Sequence, residues 1–224
     1  MTTPEDVMRW LRAEASEDNR ASLARYNIPT EHALGIPMGV LKKQAKHWGR
    51  DHSLARALWP ERTYEARIIA AHVADPAMTD AALMDAWTAD FDNWAICDTC
   101  CFTLFAKAPP RWERVPAYAA QEEEFVKRTA FALILSMTKH DKSAPDAAFT
   151  GTFPLIEAAA ADPRPLVSKA ADMALRAIGK KNAALHKSAV ALSEKLAKST
   201  DKQVQKVGRK CLRELMSEKV RARL

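Results

Sequence analysis

The sequence predicts an all-α protein built from stacked helix pairs, and three observations carry that prediction. Apolar residues recur at helical spacing from one end of the 224-residue chain to the other, and no stretch shows the strict alternation of a half-buried strand. Boundary signals interrupt the pattern at short intervals: Thr3-Pro4-Glu5-Asp6, Leu34-Gly35-Ile36-Pro37, Asp75-Pro76, Pro109-Pro110 and Asp162-Pro163. The connections are short, and helix pairs return roughly every 35–45 residues, the period of an α-solenoid rather than of a compact bundle.

The first helix starts at Pro4. Thr3 supplies the cap, proline fits the first helical position, and Glu5 and Asp6 complement the positive end of the helix dipole. After the break at Leu34-Gly35-Ile36-Pro37, a helix runs through Val40, Leu41 and Ala45 and ends at Gly49. Further helices are expected at about 51–59, 62–74 and 79–89. A helix at about 91–107 follows, stopped by Pro109-Pro110, and then segments near 111–120, 122–140, 153–161, 165–179, 183–198 and 201–217. The expected architecture is therefore an α-solenoid of HEAT-like helix-pair repeats forming a single domain over residues 1–224. Its concave, basic face would be the binding surface.

Composition narrows the class of function. Apolar residues make up 48% of the chain and charged residues 28%, the balance of a folded, water-facing protein rather than a disordered one. No apolar run approaches the length of a membrane span, and Met1-Thr2-Thr3-Pro4 opens no signal-peptide pattern, so no membrane partner and a cytoplasmic location are expected. The net charge of +6 is unevenly spread. Residues 163–224 hold 16 Lys+Arg against 5 Asp+Glu, a net +11, while residues 1–162 hold 18 against 23, a net −5. A basic C-terminal third is the footprint expected for a polyanion, nucleic acid above all, although lysine-rich solvated helix faces produce the same count. With no flexible linker near Pro163, the change of charge there is not read as a domain boundary.

The four cysteines are Cys97, Cys100, Cys101 and Cys211. Cys97-x-x-Cys100 is half of a zinc or redox pattern with no second half, and small buried apolar side chains account for it better. The six histidines form no recognisable ligand set, so no metal is expected. Trp10, Trp48, Trp59, Trp87 and Trp112 are spaced for packing between helices.

Chemistry concentrates in Phe91-Asp92-Asn93-Trp94-Ala95-Ile96-Cys97-Asp98. Trp94 and Asp98 stand four residues apart and project from one helix face. An indole beside a carboxylate suits a cationic or sugar-like group; a half-buried tryptophan near a surface aspartate is the plainer alternative. In Glu124-Phe125-Val126-Lys127-Arg128-Thr129-Ala130-Phe131, Arg128 sits among apolar neighbours and needs an anionic partner. That partner is either internal, Asp98 or another carboxylate, or part of a ligand. Arg164, Lys169, Arg176, Lys180 and Lys181 cluster on and around the 165–181 helix, where they either track phosphates or serve as surface charges.

Taken in order, Tyr26, Leu34-Gly35-Ile36-Pro37, Trp94-x-x-x-Asp98, Lys127-Arg128-Thr129-Ala130, Val167-Ser168-Lys169-Ala170 and Ala174-Leu175-Arg176 resemble the AlkD-type DNA glycosylases of the DNA alkylation repair superfamily. The resemblance spans roughly residues 20–215 and rests on order and spacing rather than on one decisive motif. It implies cleavage of the N-glycosidic bond of cationic N3- or N7-alkylated purines in double-stranded DNA. Nothing in the sequence fixes the oligomeric state, and a monomer is the expectation. No metal or cofactor is implied, and no deep pocket for a flipped base. By the same resemblance, Asp98 is the catalytic carboxylate and Trp94 the ring packed on the damaged nucleotide's sugar. Arg128 is the cation beside the lesion, and Tyr26 an aromatic at the DNA surface. From charge rather than from the resemblance, Lys169, Arg176, Lys180 and Lys181 are expected at the DNA backbone. Met173 stands where the family commonly has a second tryptophan, keeping apolar contact but losing the flat π surface. Members of the superfamily without the catalytic residues bind DNA without excising a base, which keeps a non-catalytic protein for damaged or branched DNA as the alternative.

Overall fold

A computed structural model describes residues 2–224, and among the described residues there is helix but no strand. The chain forms two compact units, Met1–Arg111 and Trp112–Leu224. Pro163 lies inside the second.

The first unit contains α1 (Pro4–Ala13), α2 (Glu17–Leu23), α3 (Met38–Trp48), α4 (His52–Leu58), α5 (Tyr64–Val73), α6 (Ala81–Ala89) and α7 (Trp94–Thr103). The Thr3 cap forms as expected: its hydroxyl accepts from the Asp6 N–H at 3.2 Å, and the Asp6 carboxylate accepts from the Thr3 N–H at 3.2 Å. The helix α2 is not among the expected ones, because Glu-Asp-Asn-Arg-Ala-Ser-Leu buries none of its residues and so carries no apolar period; it rests on its Ser16 cap. The expected 91–107 helix is shorter and broken. Asn93 caps α7 by accepting from the N–H groups of Ala95 and Ile96, both at 3.0 Å. After Thr103 the backbone leaves helical geometry at Leu104 and re-forms as a 3₁₀ turn over Phe105–Lys107.

The unit is organised around α5, which packs against α1, α3, α4 and α7. Every residue from Tyr64 to Ala71 is buried, including two charged ones, so each charge must be answered internally. Glu65 accepts three backbone N–H groups in a row, from Leu34 at 2.9 Å, Gly35 at 2.7 Å and Ile36 at 3.2 Å. This grip explains the Leu-Gly-Ile-Pro break. Gly35 has φ +79°, and a Cβ there would lie 2.2 Å from the Ser16 carbonyl oxygen. Arg67 donates to the Asp90 carbonyl at 2.9 Å and lies 5.0 Å from the Trp59 ring, which stacks on Trp87 at 4.0 Å.

The second unit takes in nearly all of α8 (Arg111–Ala119), then α9 (Glu124–His140), α10 (Asp146–Thr150), α11 (Phe153–Ala160), α12 (Pro165–Ile178), α13 (Ala183–Ala197), α14 (Lys202–Leu215) and α15 (Glu218–Arg221). The short α10 and α15 also go beyond the expected set; each is too brief to show a helical period. Here α12 is central, packed against α9, α11, α13 and α14. The α13–α14 pair approaches closely at Gly208, where a Cβ would lie 2.3 Å from the Ala197 nitrogen. Trp10 meets Trp48 and Trp112 meets Phe149 edge to face, in helix packing.

Candidate active site

The Asn93 cap fixes where α7 begins and hence which way its first turns point. Trp94 and Asp98, one turn apart, are both half-buried and line one cleft of about 450 Å³ in the first unit. Tyr26 joins them from the far end of the sequence. It closes a 3₁₀ turn over Ala24–Tyr26, ended by Asn27 in the left-handed region at φ 55°, and its side chain is 61% exposed. The indole N–H of Trp94 donates to the Tyr26 carbonyl oxygen at 2.8 Å, which pins the ring.

Several cleft residues escape the sequence reading, Phe102, Lys42 and Tyr64 among them. Phe102 sits one further turn along the Trp94–Asp98 face of α7, so the i+4 spacing could have revealed it. Lys42 of α3 and Tyr64 of α5 reach the cleft only because their helices pack in the first unit, and nothing local announces that. Burial, then the charge of Glu65, pushes the Tyr64 phenol up to about 12, so it stays protonated at neutral pH. The aromatic faces and the Asp98 carboxylate together favour positive charge.

Cys97, Cys100 and Cys101 lie behind this face, fully buried. Burial first, and the neighbouring Cys97 next, push the Cys100 and Cys101 thiols well above their ordinary range. They behave as small apolar groups. Among the described residues no group of three or more His, Cys, Asp or Glu side chains is placed to hold a metal ion.

The remaining sequence candidates belong to the second unit. Arg128 is 3% exposed, and its Nη1 donates to the Leu166 carbonyl at 2.8 Å. Lys169 is exposed on α12 and Met173 half-buried. Arg176 is held by Asp172, with Nε at 2.6 Å from Oδ1, and also donates to Glu214. Lys180 pairs with Glu214 at 2.6 Å. Burial alone would raise the Glu214 carboxyl, but the Lys180 ammonium and Arg176 guanidinium outweigh it and hold it below the usual range. Lys181 lies 5.3 Å from the Phe149 ring. Asp172, buried at the centre of this network, is absent from the sequence candidates although Asp172-x-x-x-Arg176 is a helical ion-pair spacing. Exposed cations on this unit also include Lys187, Lys202, Lys206 and Arg209.

No helix among the described residues is long and apolar enough to cross a membrane. No curated relative matches the chain in sequence. Among solved structures it is similar to one described as "a new family of proteins related to the HEAT-like repeat DNA glycosylases with affinity for branched DNA structures". That match has a TM-score of 0.77 at 16% identity and covers 95% of each chain, a likeness of fold. An engineered protein matches at 18% identity with a TM-score of 0.47, covering 96% of this chain and 92% of its own. A designed armadillo repeat protein matches at 15% identity with a TM-score of 0.36, covering 80% and 92%. The sequence model of the DNA alkylation repair enzymes matches residues 7–204, and so the all-helical chain with Trp94 and Asp98 in one cleft belongs to the DNA alkylation repair enzyme family.

Proposed function

We propose that the protein is a DNA glycosylase that removes cationic N3- or N7-alkylated purines from double-stranded DNA. The observation that carries this reading is the convergence of Trp94, Asp98 and Tyr26 on one cleft, with the Trp94 ring fixed by its bond to Tyr26. An alkylated purine is already positively charged and is a good leaving group. As its bond to C1′ breaks, the electron pair departs with the base and neutralises it, while positive charge develops on the sugar as in glycoside hydrolysis. The Asp98 carboxylate stabilises that charge and takes a proton from the water whose oxygen bonds to C1′, and the indole face adds cation–π attraction. Preorganised groups of this kind contribute roughly 3–4 kcal/mol, or two to three orders of magnitude in rate. The basic second unit supplies salt-sensitive affinity for the backbone.

A second reading is a non-catalytic protein for damaged or branched DNA. Met173 in place of an aromatic favours it, as does the pairing of Arg176 and Lys180 with internal carboxylates. The similar solved structure described by its affinity for branched DNA points the same way. Release of free base from a duplex carrying one N7-methylguanine, for wild type and Asp98→Asn, separates the two. Release above the spontaneous rate, lost in Asp98→Asn, supports the glycosylase; rates equal to buffer alongside DNA binding support the second reading.

A further inference from the structure

The cleft holding Trp94 and Asp98 also has cations at and beside its lining. Lys42 lines it, and so does Thr103 at the end of α7. Lys107, in the following 3₁₀ turn, places its Nζ 3.4 Å from the Thr103 carbonyl oxygen, and both lysines are exposed. They also act on a common neighbour. The His72 imidazole of α5 is driven down to about 4, by burial first and then by the charges of Lys42 and Lys107. Two cations that repel a proton from one imidazole lie within electrostatic reach of the same spot. Along the α7 axis, Thr103 lies about 7.5 Å beyond Asp98 at 1.5 Å per residue.

The cleft thus presents both signs of charge: Trp94 and Asp98 favour a cation, while Lys42 on its lining and Lys107 beside Thr103 favour an anion. An alkylated nucleotide in DNA presents that pair, a cationic base and developing sugar cation beside a backbone phosphate. We infer that Lys42 and Lys107 form a phosphodiester-binding subsite that holds the phosphate next to the nucleotide whose sugar faces Asp98. The inference rests on the DNA reading above and deepens it: the held phosphate sets the register of the sugar against the carboxylate.

The test uses the full chain as wild type and as the double variant Lys42→Gln/Lys107→Gln. Both positions are exposed, so the variant is expected to fold. Duplexes carry one N7-methylguanine and either native phosphates or a single uncharged methylphosphonate on one or other side of it. Single-turnover base release at saturating protein and affinity by fluorescence anisotropy are measured for each. Neutralising one of the flanking phosphates is expected to cost wild type roughly ten-fold, and to cost the double variant nothing further. The double variant's salt slope should also be shallower by about 0.9 per lysine that contacted phosphate. Equal sensitivity of both proteins to every methylphosphonate would overturn the subsite. If wild type releases no base, the glycosylase reading fails, and the affinity series still decides the subsite by the same comparison. If wild type does not bind DNA, both fall.

Discussion

Trp94 donates its indole N–H to the main-chain carbonyl of Tyr26 at 2.8 Å, across 68 residues of sequence. The bond ties the 3₁₀ turn that carries the exposed Tyr26 to the first residue of α7, so the orientation of the ring and the reach of Asp98 are set together. Trp94→Phe keeps an aromatic face and loses the donor; Trp94→Ala loses both. Because the bond lies at the surface, Trp94→Phe should cost only about 0.5–1 kcal/mol in stability. It should retain most base release, whereas Trp94→Ala should lose at least ten-fold, with undamaged duplex bound as by wild type. Base-release assays paired with anisotropy titrations check this. A Trp94→Ala protein that weakens on undamaged and alkylated duplex alike would remove Trp94 from beside the lesion.

Glu65 is the buried anchor of the first unit, and the loop it holds leads directly into α3, whose first residue, Met38, lines the cleft. A glutamine of the same size turns an NH₂ group towards a row of N–H donors. Glu65→Gln should therefore destabilise by about 2–4 kcal/mol, read as a lower urea midpoint with an unchanged slope. Base release should fall with it. A shift below about 0.5 kcal/mol would mean that the 34–36 backbone is held by other contacts.

Boundary residues such as Thr3 and Asn93 act locally, through side chains that bond the next turn, so helix starts are legible in short words of sequence. The Trp94–Asp98 pair is legible for the same reason, since i and i+4 share a face whatever surrounds the helix. The helix α2 stays hidden because it buries nothing, and the burial of α5 on every side erases the period that would expose Glu65 and Arg67 as special. Lys42 reaches the cleft through the packing of helices far apart in sequence, which no spacing rule encodes. Charge counting has a different limit: the net sum over residues 163–224 already subtracts Asp172 and Glu214, but it does not say that these two acids pair with Arg176 and Lys180 in particular.

The depressed His72 imidazole gives a pH signature. Its value is about 4 in the folded protein against an ordinary 6.5, with burial the larger cause and Lys42 and Lys107 adding to it. Between those values the unfolded chain binds the proton and the folded chain does not. Stability from this group is therefore complete above about pH 6.5 and is lost as pH falls towards 4. Urea unfolding of wild type and His72→Gln across that window should show wild type losing stability more steeply as pH drops, the two curves running parallel above pH 7. Parallel curves throughout would show that the histidine is solvated in both states.

Asp172 offers a test in which stability and DNA affinity move in different directions. Its carboxylate is 2% exposed and accepts from Arg176 Nε at 2.6 Å and Nη2 at 3.3 Å, from Lys210, and from the Cys211 thiol at 3.4 Å, joining α12 to α14. Asp172→Asn removes the negative charge at the centre of that group of contacts and leaves Arg176 to Glu214 alone. Breaking a buried pair from one side should cost about 3 kcal/mol, seen as a lower urea midpoint. The same change raises the net charge by one and frees Arg176 and Lys210 from part of their neutralisation. If those cations face nucleic acid, duplex affinity at low salt should rise and its salt slope steepen. Affinity that falls in step with stability would mean instead that the network serves to hold α12 and α14 together, and that the phosphate contacts come from the exposed lysines around it.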